Sequence, residues 1–167
     1  MPTHLAPKIV GPADGKTGSL GSIGVRFMID TEETEAGRFS LVEHPMPPRA
    51  LAAPLHRHSR EDEYSFVLEG RMGARLGDEV IYAEAGELAF KPRDQWHTFW
   101  NAGDEPCRIL EIISPAGFEH FFREVDAGMK DGTLDPEELS VRYGIEFDMD
   151  SVPRLCAQYG LVHPLVG

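Results

Sequence analysis

Alternation of apolar and polar residues dominates the first two thirds of the chain. In SIGVRFMI, residues 22–29, every second side chain is apolar (Ile23, Val25, Phe27, Ile29), which is the period of a strand with one buried face. Further apolar runs of strand length follow, each bounded by Gly, Pro or Asn, at 37–44, 63–70, 71–77, 79–86, 86–92, 96–103 and 106–114. About eight short strands separated by turn residues predict an antiparallel sandwich or barrel.

The period of the pattern changes after residue 114. Ser114 and Pro115 are typical of a helix start, and Gly128 is a helix stop. Between them, four apolar residues share one helical face: Phe118, Phe121, Phe122 and Val125. Two more short helices are predicted at 135–144 and 151–160, each ending at a glycine. Helices this short need a surface to pack against, so we expect them to cover the β-domain as a plug or a lid.

These patterns divide the chain into three parts. Residues 1–19, rich in Pro, Gly and small side chains, predict an irregular N-terminal arm; 20–113 predict the β-barrel; and 114–167 predict a helical extension packed on it. The length of 167 residues suits one domain with short extensions.

Charge and composition narrow the possible functions. The formal net charge is -12, and an acidic surface repels nucleic-acid phosphates, so no nucleic-acid partner is expected. No run approaches the roughly 20 apolar residues of a membrane span, and the first residues do not have the pattern of a signal peptide. Cys107 and Cys156 are far apart, which predicts two buried thiols in a reducing cytoplasm.

Candidate chemistry lies in PLHRHSREDEYSFVLEG, residues 54–70. His56 and His58 are two residues apart, so on a strand both imidazoles point to the same side. Glu63 can open the next strand with its carboxylate facing the same interior, and His97 can open an antiparallel strand. Three neutral imidazoles and one carboxylate suit Mn, Fe, Co, Ni, Cu or Zn. On an octahedral ion, four protein ligands leave two positions for water, dioxygen or substrate.

Both segments resemble the two motifs of the cupin family. The first motif is matched by His56, His58, Glu63 and Gly70, and the second by Gly86, Pro92, His97 and Asn101. One position departs, because Asp94 stands where the second motif usually has glycine. The resemblance covers residues 20–113 and implies an all-β fold, a double-stranded β-helix or jelly-roll barrel. It also implies one divalent transition metal per chain, bound by His56, His58, Glu63 and His97, and often a homodimer.

Strand parity predicts which other side chains line the cavity. Ser65 and Val67 lie on the same face of their strand as Glu63, and Phe99 lies on the same face as His97. Gln95 is a further candidate, and His44 is a candidate for the cavity mouth. Glu61 and Asp62 are expected in a solvated loop. Three apolar residues point outward on the strand that begins at Glu63, which indicates a covering strand or a subunit interface: Tyr64, Phe66 and Leu68.

Three functions remain open. The first is a metal-dependent dioxygenase acting on a small aromatic or enolic compound, because the sequence resembles cupins grouped with quercetin-dioxygenase-like proteins. In such enzymes the glutamate can leave the metal and act as a base, a catalytic role that would fall to Glu63. The second is a non-redox isomerase, lyase or decarboxylase in which the metal polarises a carbonyl. The third is a small-molecule binding module without turnover.

Overall fold

The computed structural model describes residues 7–33 and 37–166, which form eleven strands, three α-helices and one 3-10 turn. The strands are β1 (Thr17–Ser19), β2 (Gly24–Ile29), β3 (Ser40–Met46), β4 (Leu55–His58), β5 (Asp62–Glu69), β6 (Arg71–Leu76), β7 (Glu79–Glu84), β8 (Leu88–Lys91), β9 (His97–Asn101), β10 (Cys107–Ser114) and β11 (Ile145–Asp148). The helices are α1 (Glu119–Asp131), α2 (Pro136–Tyr143) and α3 (Ser151–Tyr159), and the 3-10 turn is Thr31–Glu33.

The strands form two antiparallel sheets. The six-stranded sheet has the order β1-β2-β3-β10-β5-β8, and the five-stranded sheet has the order β11-β4-β9-β6-β7. Neighbours in each sheet are mostly distant in sequence, as in the jelly-roll topology of a double-stranded β-helix. The predicted all-β jelly-roll with a helical C-terminal extension is therefore confirmed.

Alternation along β5 fixes which side chains face the interior. Glu63, Ser65 and Val67 are buried, whereas Tyr64 and Phe66 are half-buried and Leu68 is exposed on the outer face. Gly70 closes the strand at a φ of 78°, and a Cβ there would lie 2.8 Å from the carbonyl oxygen of Pro106. Glycine is needed for both reasons, so the turn after β5 explains the glycine of the first motif.

The C-terminal segment differs from its prediction at three points. The start predicted at Ser114 is wrong: Ser114 ends β10, and α1 begins at Glu119, whose buried carboxylate accepts the backbone N–H of Gly117 at 2.7 Å. Helix α1 also continues past Gly128 to Gly132, which caps it at a φ of 75°. Strand β11 lies between α2 and α3 and pairs with β4, whereas no strand was predicted there. It sits beside the strand that carries His56 and His58.

The helices cover the barrel on two sides. Phe118 and Phe122 of the α1 segment pack with Val25, Val42 and Ile113 from the six-stranded sheet. Helix α3 packs against another part of the barrel through Val152, Leu155 and Cys156, next to Leu51 and Trp100. The α1 segment therefore closes the interior on its side with apolar side chains, whereas α3 covers Trp100, which alternates along β9 with the inward Phe99.

The remaining expectations from composition concern the cysteines and the membrane. Cys107 and Cys156 are both free and buried, as predicted. Within residues 7–33 and 37–166, the structure contains no helix that is long and apolar enough to cross a membrane. Strand β1 lies inside the segment predicted to be irregular, and residues 1–6 of that segment are outside the described residues.

Candidate metal centre

Three strands bring the predicted metal ligands together. His56 and His58 lie on β4, and His97 lies on β9 directly opposite His56 in the register. Glu63 lies on β5 of the other sheet. The three imidazoles therefore come from the five-stranded sheet and the carboxylate from the six-stranded sheet, with the cluster between them.

The four side chains converge on one small volume. A ligand atom from each of His56, His58, Glu63 and His97 lies within 4.8 Å of the others, and all four residues are buried. Oε1 of Glu63 is 3.5 Å from Nε2 of His58, and Oε2 of Glu63 is 3.3 Å from Nε2 of His97. One ion can contact all four groups at this spacing after small side-chain adjustments.

Hydrogen bonds outside the cluster orient two of the imidazoles. The Nδ1–H group of His56 donates to the carbonyl oxygen of Pro54 at 2.8 Å, and that of His97 donates to the carbonyl oxygen of Gln95 at 3.0 Å. A carbonyl only accepts, so Nδ1 carries the proton and Nε2 keeps its lone pair. Metal-bound histidines are usually held in this way by a second hydrogen bond.

The ring nitrogens of His58 indicate that the cluster can hold a metal. Both nitrogens are buried without a hydrogen-bond partner among the residues that the structure describes. A buried polar atom left unpaired costs roughly 1–3 kcal/mol, and a bound cation at Nε2 would remove that cost. The residues therefore fit a transition metal.

The carboxylate of Glu61 lies beside Nδ1 of His58, the ring nitrogen that faces away from Glu63. Its Oε2 lies 3.6 Å from Nδ1 of His58, and only 6% of the residue is exposed. The expectation of a solvated Glu61 is therefore wrong, whereas Asp62 on the neighbouring position forms an ion pair with the exposed Arg93. A carboxylate behind a metal-bound imidazole fixes its orientation and raises its basicity.

The charge states of the cluster suit metal binding at neutral pH. Burial, together with the other imidazoles, holds the pKa of His56 well below its ordinary value. Burial also lowers the pKa of His97, against the opposing effect of Glu63. Burial alone would raise the pKa of Glu63, but Lys91, His58 and His97 outweigh it and keep the pKa well below the usual range. Neutral imidazoles and an ionised carboxylate are the states that bind a cation.

A second layer of buried charge lies behind Glu63. Nζ of Lys91 is 3.0 Å from Oε2 of Glu63 and 2.9 Å from Oε1 of Glu111. The hydroxyl of Ser65 donates to Oε2 of Glu111 at 2.7 Å. The side chain of Lys91 is 0% exposed, and Nζ lies 4.5 Å from the centre of the Phe99 ring. Two carboxylates therefore share one buried ammonium group.

An apolar cavity of about 160 Å³ opens onto the cluster. This is close to the roughly 150 Å³ of an engineered cavity that holds benzene, so it suits a ligand with one aromatic ring. Its polar lining comes from His44, His56, His58, Glu63 and Glu111, and the rest is apolar, including Leu20, Ile23, Ala52, Phe99, Phe118, Phe121, Phe122, Val125, Ile145 and Phe147.

The predicted pocket residues occupy different places. Phe99 lines the cavity. Ser65 faces the interior and donates to Glu111, but it does not line the cavity itself. Val67 lies farther along β5, in the core with Met46 and Met72. The side chain of Gln95 is exposed, because it belongs to the loop before β9 and contributes only its carbonyl oxygen to His97.

The sequence interpretation missed Lys91 and Glu111, although strand parity could have found them. Glu111 shares the inward parity of Ile109 and Ile113 on β10, and Lys91 shares that of Ala89 on β8. A charged residue in an inward series indicates a buried polar site. The site therefore contains two buried charged side chains beyond the predicted ligands.

The departure at Asp94 has a local explanation. Asp94 adopts a φ of 63°, in the left-handed region where glycine is usual, and Asp is one of the few other residues that tolerate it. Its backbone N–H donates to the carbonyl oxygen of His58 at 2.7 Å. The turn before His97 therefore keeps the glycine-like conformation and remains tied to β4.

Comparison with known families agrees with this geometry. A family model described as a cupin domain matches residues 42–113, the segment that contains all four candidate ligands. Residues 42–113 therefore match a cupin domain. KdgF from Halomonas sp. shares this fold, with a TM-score of 0.58 over 69% of this chain and 99% of KdgF. At 15% identity, that similarity concerns the fold alone.

Two curated proteins match part of the chain. One is the tetracenomycin polyketide synthase protein TcmJ of Streptomyces glaucescens, 35% identical over 60 residues, which are 36% of this chain and 40% of TcmJ. The other is the polyketide synthase protein CurC of Streptomyces cyaneus, 35% identical over 60 residues, which are 36% of this chain and 39% of CurC. The matches therefore span less than half of either protein.

Proposed function

We propose that this cupin domain is a metal-dependent dioxygenase acting on a small aromatic or enolic compound. The observation that supports this most is the cavity of about 160 Å³, lined by aromatic side chains, that ends on His56, His58 and Glu63. A flat aromatic or enolic compound bound in that cavity would direct its oxygen-bearing edge at the candidate metal site. The α1 segment and β11 form an apolar wall of the cavity, and a reactive site needs such protection from water.

Different side chains would bind the metal and the substrate. His56, His58, Glu63 and His97 would hold the metal, which when bound supplies positions for substrate and dioxygen and exchanges electrons with them. Phe99, Phe118 and Phe122 bind the ring of the substrate through apolar contact. This wall also keeps bulk water from the cluster.

His44 is the polar group that we propose for orienting the substrate. Its Nδ1–H group donates to the carbonyl oxygen of Gly24 at 2.9 Å, so Nε2 is the remaining acceptor. Burial lowers the pKa of His44 to about 4, which keeps the ring neutral at physiological pH. A neutral Nε2 on the cavity wall accepts a hydrogen bond from a phenolic or enolic hydroxyl.

The curated relatives support the choice of substrate class. Both carry names that associate them with polyketide synthases. Polyketide chains alternate carbonyl and methylene groups, so they enolise readily and cyclise to aromatic rings. We extend that chemistry to this chain as a proposal.

The base role predicted for Glu63 remains a prediction. Glu63 is ionised at neutral pH, as a base must be, but the Lys91 ammonium group at 3.0 Å weakens it as a proton acceptor. Glu111 is a second carboxylate on the cavity wall, and burial raises its pKa to about 7. That value suits a group that exchanges protons near neutral pH. It favours the alternative function, a non-redox isomerase, lyase or decarboxylase.

Metal analysis followed by oxygen uptake distinguishes these functions. Protein purified without added metal is analysed for its elements and then assayed in an oxygen electrode with catechols, flavonols and 1,3-diketones. The dioxygenase proposal predicts near one Fe, Mn, Ni, Cu or Co per chain and oxygen uptake with at least one substrate. Zinc without oxygen uptake would contradict it in favour of the non-redox enzyme, and absence of metal would leave a binding module.

We also propose that the chain forms a homodimer through the outer face of β5 and β8. Strand β8 is the edge of its sheet, and Leu88 and Phe90 on it are 51% and 47% exposed. Tyr64 stacks on Phe90 at 4.8 Å, and the exposed Leu68 continues the apolar face. A second copy would remove this surface from water and cover the free edge.

Sedimentation velocity tests the homodimer. The wild-type chain is expected to sediment as a dimer, and Phe90→Lys as a monomer, because a charge would be buried in the interface. Val141→Lys is the matched control, since Val141 is 77% exposed on α2, away from this face. A monomeric wild type, or a Phe90→Lys variant that remains a dimer, would contradict the interface.

A further inference from the structure

We propose that Lys91 is a positioning residue for the metal centre. Anchored by Glu111 and Ser65, it holds Oε2 of Glu63 so that the carboxylate offers the metal its other oxygen, Oε1. This inference rests on the metal site of the proposed function and assigns a role to side chains that are not themselves ligands.

The register of three strands creates the arrangement. Lys91 on β8 lies opposite Glu63 on β5, and Ser65 on β5 lies opposite Glu111 on β10. The Lys91 side chain therefore crosses β5 diagonally to reach Glu111. All four residues belong to the inner face of the six-stranded sheet, so each has a fixed place relative to the others.

The two oxygens of Glu63 have different surroundings. Oε2 lies 3.0 Å from the Lys91 ammonium group and 3.3 Å from Nε2 of His97. Oε1 lies 3.5 Å from Nε2 of His58. The ammonium group and His97 thus lie against Oε2, and Oε1 is the oxygen beside Nε2 of His58.

Fold stability alone is a poor reason for this buried network. Replacing a buried ion pair with apolar residues of similar volume is often neutral or stabilising. Lys91 nevertheless has a fully buried side chain, and its two carboxylates keep it charged, raising its pKa against the effect of burial. Lys91 contacts the centre directly through the carboxylate of a candidate ligand, and this indicates a role at the metal.

A single substitution of Lys91 would change two things at once. Loss of the ammonium group frees Glu63, which weakens metal binding, but it also removes a positive charge near the cation, which strengthens binding. At a pH of about 8.5, above the pKa of about 7 to which burial raises Glu111, that carboxyl group is ionised. There the double variant Lys91→Met/Glu111→Gln removes one charge of each sign, leaves the net charge of the site unchanged and isolates the loss of positioning.

Cobalt(II) is the probe, because its visible absorption reports on coordination as well as on occupancy. Metal-free wild type and Lys91→Met/Glu111→Gln are titrated with Co²⁺, and their absorption spectra are recorded at saturation. We expect about tenfold weaker Co²⁺ binding in the double variant, the lower end of the range for residues behind metal ligands. We also expect a changed visible spectrum, because the freed Glu63 can bind through both oxygens.

A matched control removes another charge-balanced pair. Arg26→Met/Glu43→Gln breaks an ion pair whose side chains are 12% and 7% exposed and also the contact of Glu43 with Arg108 at 2.8 Å, all outside the cluster. We expect its Co²⁺ affinity to stay within about twofold of wild type, as for independent sites, and its spectrum to be unchanged. Circular dichroism of each metal-free protein shows whether it folds.

A milder variant keeps the test decisive if the double variant does not fold. Ser65→Ala removes only the hydrogen bond to Glu111, and we expect about threefold weaker Co²⁺ binding. If the double variant folds, wild-type affinity and spectrum in it would overturn the positioning role alone. If it does not fold, wild-type affinity and spectrum in Ser65→Ala would do so. Wild type that binds no Co²⁺ would overturn the metal site as well, so the two failures are distinguishable.

Discussion

Replacing His58 with alanine is expected to remove most of the bound metal. Loss of residues that only orient a ligand costs about 10- to 100-fold in metal affinity, so loss of a ligand itself should cost at least about 100-fold. Both ring nitrogens of His58 are buried and unpaired among the described residues. No hydrogen bond within the described part of the chain therefore accounts for this buried imidazole, and metal binding does. Elemental analysis of the purified variant, beside wild type prepared in the same way, measures the effect.

His120→Ala is the matched control for this prediction. The side chain of His120 is 43% exposed on α1 and lies outside the cluster of four. Its variant should therefore retain the metal content of wild type. If His58→Ala kept its full metal content, or if both variants lost metal equally, the proposed ligand set would be wrong.

Replacing Phe118 with alanine is expected to cause the largest loss of stability. Phe118 is 2% exposed and packs against Phe121, Phe122 and the ring of His58, whose centroid lies 4.4 Å away. A large-to-small change at such a site lowers the free energy of unfolding by about 3–5 kcal/mol. For a chain of this size that corresponds to roughly 6–20 °C in Tm. Thermal unfolding of the metal-free protein, followed by circular dichroism, measures the shift.

The same change connects the helical cap to the metal centre. Because the Phe118 ring covers His58 edge-on, its loss leaves space beside the ring and exposes it to the cavity. Met129→Ala, at a residue of α1 that is 47% exposed, serves as the control and should leave Tm nearly unchanged. A Phe118→Ala variant as stable as this control would show that α1 is a movable lid rather than part of the core.

The parts of the site that could be predicted are those governed by local spacing. Residues two apart on a strand face the same side, and this rule alone groups His56 with His58 and Ser65 with Glu63. The motif spacing then adds His97 from another strand. Turn glycines such as Gly70 follow from the same kind of local constraint, because their backbone angles exclude other residues.

The parts that could not be predicted depend on contacts between distant strands. Lys91 reaches Glu111 across β5, and nothing in either local sequence specifies that diagonal contact. Glu61 follows His58 by three residues, but only the bend between β4 and β5 turns its carboxylate inward. Strand β11 was missed because its four residues pair with β4, about 90 residues earlier in the chain.

Anomalous diffraction from crystals of the Co²⁺-loaded wild-type protein locates the metal. We expect one strong peak per chain between the two sheets, within about 2.0–2.2 Å of Nε2 of His56, His58 and His97 and of Oε1 of Glu63. No peak at this position, or a peak held by other residues, would contradict the assignment of these four side chains as a metal centre.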